Sequence, residues 1–155
     1  MPTLLAVDLG LRTGLAIYRA DGRLVSYRSH NFGAPARLRK GAPTVLAELP
    51  DLEIVVIEGG GQLAEIWEKA VVRRGLCLIQ IDAETWREKL LYAREQRSGL
   101  QAKQHADDLA RRVIAWSEAP RPTALRHDAA EAILIGLWGV LEVGWLERVP
   151  PEVRR

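Results

Sequence analysis

The chain carries a single cysteine, Cys77, in 155 residues, and that excludes an internal disulfide. Cys77 sits in the apolar run Cys77-Leu78-Ile79 and reads as a buried small hydrophobe. A chain without disulfides agrees with a reducing compartment. Lysine is scarce too: of 22 cationic residues only Lys40, Lys69, Lys89 and Lys103 are lysines. The net charge of +2 is too small to demand a nucleic-acid partner by itself. Long apolar runs are missing. The stretch from Ala132 to Val140 is too short to span a bilayer. No basic region precedes the apolar residues at Met1 to Leu5, and Asp8 interrupts that run, so no targeting segment is expected. Repeats and low-complexity segments are also lacking. The expectation is a soluble cytoplasmic protein with no membrane partner.

What is present is globular in kind: 48% hydrophobic and 27% charged residues, enough for one packed core. The length fits one domain over 1–155, with residues 148–155 expected to form a flexible tail. Arginine supplies 18 of the cations and clusters at Arg37, Arg39 and Lys40, at Arg73 and Arg74, at Arg94 and Arg97, and at Arg111 and Arg112. Each cluster is either a solvated face or a contact for phosphate.

Hydrophobic patterning orders the elements. Thr3 to Leu9, Leu15 to Arg19 and Arg23 to His30 read as strands, and Asp21-Gly22 as a hairpin turn. Together they predict a three-stranded antiparallel meander. Ala36 to Leu49 reads as a helix ended by Pro50. Glu53 to Glu58 is β-branched and apolar, as expected of a central strand buried on both faces. Gly59-Gly60-Gly61 breaks it, a helix spans Gln62 to Arg74 with Gly75 past its end, and Leu76 to Ile81 is a fifth strand. A short helix over Ala83 to Leu91, a basic loop over Ala93 to Gly99, and helices over Leu100 to Trp116 and from about Thr123 or Leu125 to Glu142 follow. The order reduces to β-β-β-α-β-α-β-α-α: an α/β fold, a mixed five-stranded sheet with helices on both faces, the first and fourth strands side by side at its centre.

Four acids stand out by position. Asp8 lies near the end of an apolar strand and Glu58 ends another. Holding either ionised in a dry interior costs several kcal/mol without a partner. Adjacent strand ends would bring the two within metal-bridging distance. Asp128 and Glu131, in His127-Asp128-Ala129-Ala130-Glu131-Ala132, stand at i and i+3 and share a helix face. The alanines beside them permit close approach to the sheet. Four carboxylates around one cavity raise one another's pKa values unless a cation intervenes. All-oxygen ligation suits Mg²⁺ or Mn²⁺, and two such ions about 4 Å apart serve phosphodiester hydrolysis. Asp107 and Asp108 read instead as surface partners of Arg111 and Arg112, and Asp82 and Glu84 as helix capping. His127 stands at a helix entry, where it is structural or orients a water or phosphate. Trp116, Trp138 and Trp145 read as core or dimer contacts.

Ala-Val-Asp8-Leu-Gly10-Leu-Arg-Thr13-Gly14 resembles the first strand and turn of RuvC-type Holliday-junction resolvases. Val-Val-Ile-Glu58 resembles their second acidic motif, and Asp128-Ala-Ala-Glu131-Ala-Ile their closing helix. The resemblance spans about Thr3 to Trp138. It implies a ribonuclease H-like fold, a homodimer, two Mg²⁺ or Mn²⁺ ions on Asp8, Glu58, Asp128 and Glu131, and cleavage of branched DNA; the helix from Gln62 to Arg74 is a candidate for the dimer interface. It also implies basic helpers before the closing helix. Lys89 and Lys103 occupy suitable places, with Lys103 as the catalytic cation and Lys89, Arg94, Arg97, Arg73, Arg74 and Lys103 as DNA contacts. The chain departs from the pattern at Glu131, where the family usually has Asp, and at Leu9, where it usually has Pro. Gly59-Gly60-Gly61-Gln62 also stands where an aromatic wedge often helps open the junction. Other readings of the same residues are a ribonuclease H-like enzyme acting on RNA or other DNA structures, a non-catalytic junction binder, and, from the Asp8 to Gly14 loop alone, an actin-like nucleotide site.

Overall fold

Successive side chains of a strand point to opposite faces, and β1 (Thr3–Asp8) buries both. Leu4 and Ala6 belong to one apolar cluster and Leu5 and Val7 to the other, all four fully buried. Such a strand needs cover on both sides and a place at the middle of a sheet. The computed structural model, which describes residues 1–92, 95 and 98–154, provides both. β2 (Arg12–Arg19) runs antiparallel to β1, and β3 (Leu24–Asn31) antiparallel to β2. β4 (Leu52–Glu58) lies parallel to β1 on its other side, and β5 (Cys77–Ile81) parallel to β4. The sheet order is β3-β2-β1-β4-β5, the mixed sheet with central first and fourth strands that the patterning predicts.

One face is covered by α1 (Pro35–Ala47) and α2 (Gly61–Arg73), whose Leu38, Leu46, Trp67 and Val71 pack with Leu5, Val7, Val55 and Ile57. The other is covered by α3 (Ala83–Leu90), α4 (Gly99–Ser117) and α5 (His127–Glu142). Three turn features match expectation. Gly22 has φ +83° in the hairpin turn, Gly75 has φ +68° past α2, and Asp82 Oδ1 accepts from Thr85 N at 2.9 Å to cap α3. Asp107 and Arg111 pair at 2.8 Å on the surface of α4. Trp138 is buried, and Trp116 and Trp145 pack partly buried against the core.

α5 is the element that fixes the site. Every residue from Ala129 to Val140 is buried, the all-round burial of a helix with no solvent face. Small residues let it lie on the sheet. A Cβ at Gly136 would stand 2.2 Å from Tyr18 Cε1, and one at Gly139 3.0 Å from Val56 Cγ2. The Tyr18 hydroxyl donates to Ile133 O and locks β2 to the helix. Across the sheet, a Cβ at Gly14 would fall 1.9 Å from Asp128 O, so only glycine lets the helix start sit there.

Four expectations need correction or placement. Cys77 is exposed, not buried: it opens an edge strand and has a sheet neighbour, Ile54, on one side only. The expected flexible tail is packed as far as it is described. α6 (Pro151–Arg154) carries Val153 into the core, where it is fully buried, so α6 follows the three helices expected after β5, and the reduced order with two is short of the four described. α5 begins at His127, later than Thr123 or Leu125. Most of the expected loop over Ala93 to Gly99, including Arg94 and Arg97, lies outside the described residues. Its end is already helical, with Ser98 Oγ accepting from Gln101 N at 3.0 Å as the cap of α4. Among the described residues no helix is long and apolar enough to cross a membrane.

Gly136→Ala tests the close packing. In an exposed helix that change stabilises by roughly 1 kcal/mol. Here it should destabilise by about 1–3 kcal/mol through overpacking against Tyr18 and lower Tm by about 5 °C in a thermal melt.

Candidate metal centre

Strand parity decides where the acids point. Asp8 follows Leu4 and Ala6, and Glu58 follows Ile54 and Val56. Both sets belong to the cluster under α5. β1 and β4 are parallel and in register here, with Asp8 directly opposite Glu58 at the carboxyl ends. That end of an open α/β sheet is where ligand sites form. The β1–β2 turn is held by Thr13, fully buried, whose hydroxyl donates to Gly10 O at 2.8 Å. On the far side of β4, Gly59 N donates to Ile81 O at 3.0 Å and Gln80 Nε2 to Gly59 O at 2.7 Å. These bonds steady the glycine segment after Glu58.

α5 brings the third acid. Glu131 is 8% exposed, and Asp8, Glu58 and Glu131 each offer a carboxylate oxygen within 4.8 Å of the other two. Two side chains bear on Glu131. Arg87 Nη2, from α3, donates to Oε1 at 3.3 Å, and His127 Nε2, one turn back on α5, lies 2.9 Å from the same oxygen. Both contacts fall on Oε1, and Oε2 is engaged by neither.

The electrostatics are those of a site short of positive charge. Burial, first, and then the Glu131 carboxylate push the Asp8 carboxyl up to about 9, with Glu58 and Asp128 adding to the effect. Protonated Asp8 donates to Glu58. Burial also raises Glu58, against the opposing effect of that hydrogen bond and of Arg87. A proton thus does between Asp8 and Glu58 what a divalent cation would do for all three. The donor set, three carboxylates and no nitrogen or sulfur within the cluster, fits a hard ion such as Mg²⁺ or Mn²⁺.

Asp128 is not gathered into this cluster. Its Oδ2 accepts from Ser29 Oγ at 2.7 Å, from β3, and its Oδ1 from Ala129 N at 2.9 Å. The four expected carboxylates therefore divide into three and one, although the negative field of Asp128 still reaches Asp8. Lys89 does not approach the acids. It lies 3.9 Å from Glu142, eleven residues along α5 from Glu131, about 16 Å at the helical rise. Lys103 is exposed on the first turns of α4, and Arg73 and Arg74 are exposed at the end of α2. Arg94 and Arg97 lie outside the described residues. The residues that sequence reasoning missed are Arg87 and Ser29. Arg87 sits in the same short segment as Lys89, directly after the buried Trp86, and that adjacency was the available signal. Nothing in the β3 pattern marked Ser29.

A five-stranded mixed sheet with this order, two-sided helical cover and acids at the ends of its central parallel pair is a ribonuclease H-like architecture. Two solved structures share it along nearly the whole chain. Thermus thermophilus RuvC matches at TM-score 0.64 and 18% identity, over 90% of this chain and 94% of that one. T. thermophilus RuvC in complex with a Holliday junction substrate matches at TM-score 0.61 and 17% identity, over 93% of this chain and 96% of that one. The chain thus has a RuvC-like fold. No protein-family model and no curated protein sequence matches it.

The raised carboxyls set the pH dependence of stability. The folded chain keeps the Asp8 proton up to about 9, against 3.8 for the ordinary carboxyl. Native protein therefore binds more protons than unfolded protein in that window, and stability falls as pH rises through it. Chelator-treated protein should lose Tm from pH 5 to pH 9 by differential scanning fluorimetry. Saturating Mg²⁺ should restore it, most at high pH, and Asp8→Asn should flatten the metal-free profile.

Proposed function

We propose that the chain is a divalent-metal-dependent endonuclease that cuts branched DNA as a homodimer. The observation that carries this reading is the register pairing of Asp8 with Glu58, completed by Glu131 from the closing helix to within 4.8 Å. The fold adds support, since one of the similar structures is RuvC bound to a Holliday junction substrate. Two equivalent strands of a junction call for two active sites, and a symmetric dimer supplies them. The exposed apolar side chain of Val72 on α2 is proposed for that interface.

In this reading Asp8, Glu58 and Glu131 hold the first ion, and Asp128 supplies a donor toward a second. Bound Mg²⁺ or Mn²⁺ contributes Lewis-acid stabilisation of the attacking and leaving oxygens of the phosphodiester. The chain's residues do the rest. Asp8 gives up its proton to become a donor, so metal binding strengthens with pH. Arg87 and His127 hold Glu131 in place through Oε1. Ser29 fixes the orientation of Asp128. Lys103 is assigned to the scissile phosphate, and the arginines at 73, 74, 94 and 97, with Lys89, to the DNA backbone away from the cut. Such contacts place DNA without reading its sequence. The glycine segment 59–61 offers no aromatic wedge, so selectivity for branched DNA is assigned to shape.

Cleavage of a synthetic four-way junction, compared with duplex DNA, RNA and hybrid substrates in Mg²⁺ or Mn²⁺, tests this directly. Asp8→Asn, Glu58→Gln and Glu131→Gln should each lower the cleavage rate about a thousandfold or more, the several kcal/mol that metal stabilisation supplies. Junction affinity should meanwhile persist in EDTA and weaken steeply with salt. Full cleavage by Asp8→Asn overturns the metal centre. Preference for RNA or hybrid keeps the centre and changes the substrate. Asp128→Asn should spare the strong first-ion binding seen in calorimetry while slowing cleavage.

A further inference from the structure

The last turn of a helix ends on carbonyls that the helix itself cannot satisfy. In α3, Arg87 O receives Leu91 N at 2.9 Å, which leaves the carbonyls of Lys89 and Leu90 to outside donors. One guanidinium serves both. Arg154 Nη1 donates to Leu90 O, and Nη2 donates to Lys89 O at 3.3 Å. The same guanidinium lies 4.8 Å from the centre of the Tyr92 ring. A cation at a helix C-terminus also meets the negative end of the helix dipole. Arg154 is delivered by α6, which is pinned by fully buried Val153 and packs on α4. Arg87 opens the very turn that Arg154 closes, and Arg87 reaches Glu131 from outside α5.

We propose that Arg154 is a positioning residue of the metal centre: by capping the last turn of α3 it holds Arg87 against Glu131. The inference rests on the reading of Asp8, Glu58 and Glu131 as that centre. α3 has eight residues, too few to persist on local propensity. Its burial through Trp86 and Leu90 fixes where it lies, and the Arg154 clamp fixes the turn that carries Arg87. Lysine is a poor substitute, because an ammonium cannot span two carbonyls and a ring face with one planar fork.

The test is calorimetric titration of the chelator-stripped full chain with Mn²⁺, alongside thermal melts. Removing a residue that orients a metal ligand costs roughly tenfold to a hundredfold in metal affinity, which is the loss expected for Arg87→Ala. Arg154→Ala should weaken Mn²⁺ by about fivefold, a part of that effect, and Arg154→Lys should do the same. If Arg154 acts through Arg87, the double variant binds Mn²⁺ no more weakly than Arg87→Ala alone. Arg23→Ala is the control. Arg23 donates to Trp116 O and lies 4.2 Å from the centre of the Trp116 ring, the same kind of clamp on the end of α4. It should lower Tm without changing Mn²⁺ affinity. Wild-type affinity in Arg154→Ala, additive losses in the double variant, or an equal loss in Arg23→Ala overturns the inference. If Arg154→Ala does not fold, Arg154→Lys decides. Absence of Mn²⁺ binding by the wild type overturns the metal centre itself, a separate result.

Discussion

The structure depends on the parallel pairing of β1 with β4, which sets Asp8 directly across from Glu58 under a helix. Two carboxyls so placed, with a third arriving from α5, cannot all be ionised in a half-dry site without compensation. The surroundings bear the mark of that constraint. Asp8 keeps a proton to about 9, and Arg87 and His127 converge on one oxygen of Glu131. Ser29 holds Asp128 aside. The same crowding of oxygen donors is compatible with a hard divalent cation.

Close packing makes the cluster possible. Glu131 reaches Asp8 and Glu58 because α5 lies with its backbone nearly on the sheet, at Gly14, Gly136 and Gly139, tied down by the Tyr18 hydroxyl. A Cβ at any of these glycines would meet backbone, an aromatic ring or a buried methyl within about the sum of atomic radii. Rigid cover on one side and short α3 on the other give the site unequal walls. One is built of buried apolar residues. The other is an eight-residue helix whose final turn is clamped by Arg154 from the end of the chain.

Much of this was legible in the residues. The apolar strands around Ala6 and Val56, the Asp21-Gly22 turn, Gly75 beyond α2 and the Asp82 cap each follow from local chemistry, and all stand in the structure. So does the pairing of the first and fourth strands. The errors share a cause. Cys77 looked buried because its neighbours are apolar, yet exposure was decided by its place on an edge strand. The tail looked frayed because Pro150 to Arg155 is short and charged, yet Val153 is fully buried in the core on a helix that packs against α4. Lys89 looked suitably placed in sequence, but helical phase turned it to Glu142 and turned Arg87, two residues earlier, to Glu131.

Local sequence by itself determined the elements, the two-sided burial of the central strands and which acids stand at the strand ends and on the closing helix, because periodicity and polarity act over a few residues. Tertiary structure alone decided which of those acids meet. Asp128 and Glu131 share one helix, yet only Glu131 joins Asp8 and Glu58. The outcome turns on how deeply α5 settles onto the sheet and on a serine from β3, contacts made between residues about a hundred positions apart in the chain.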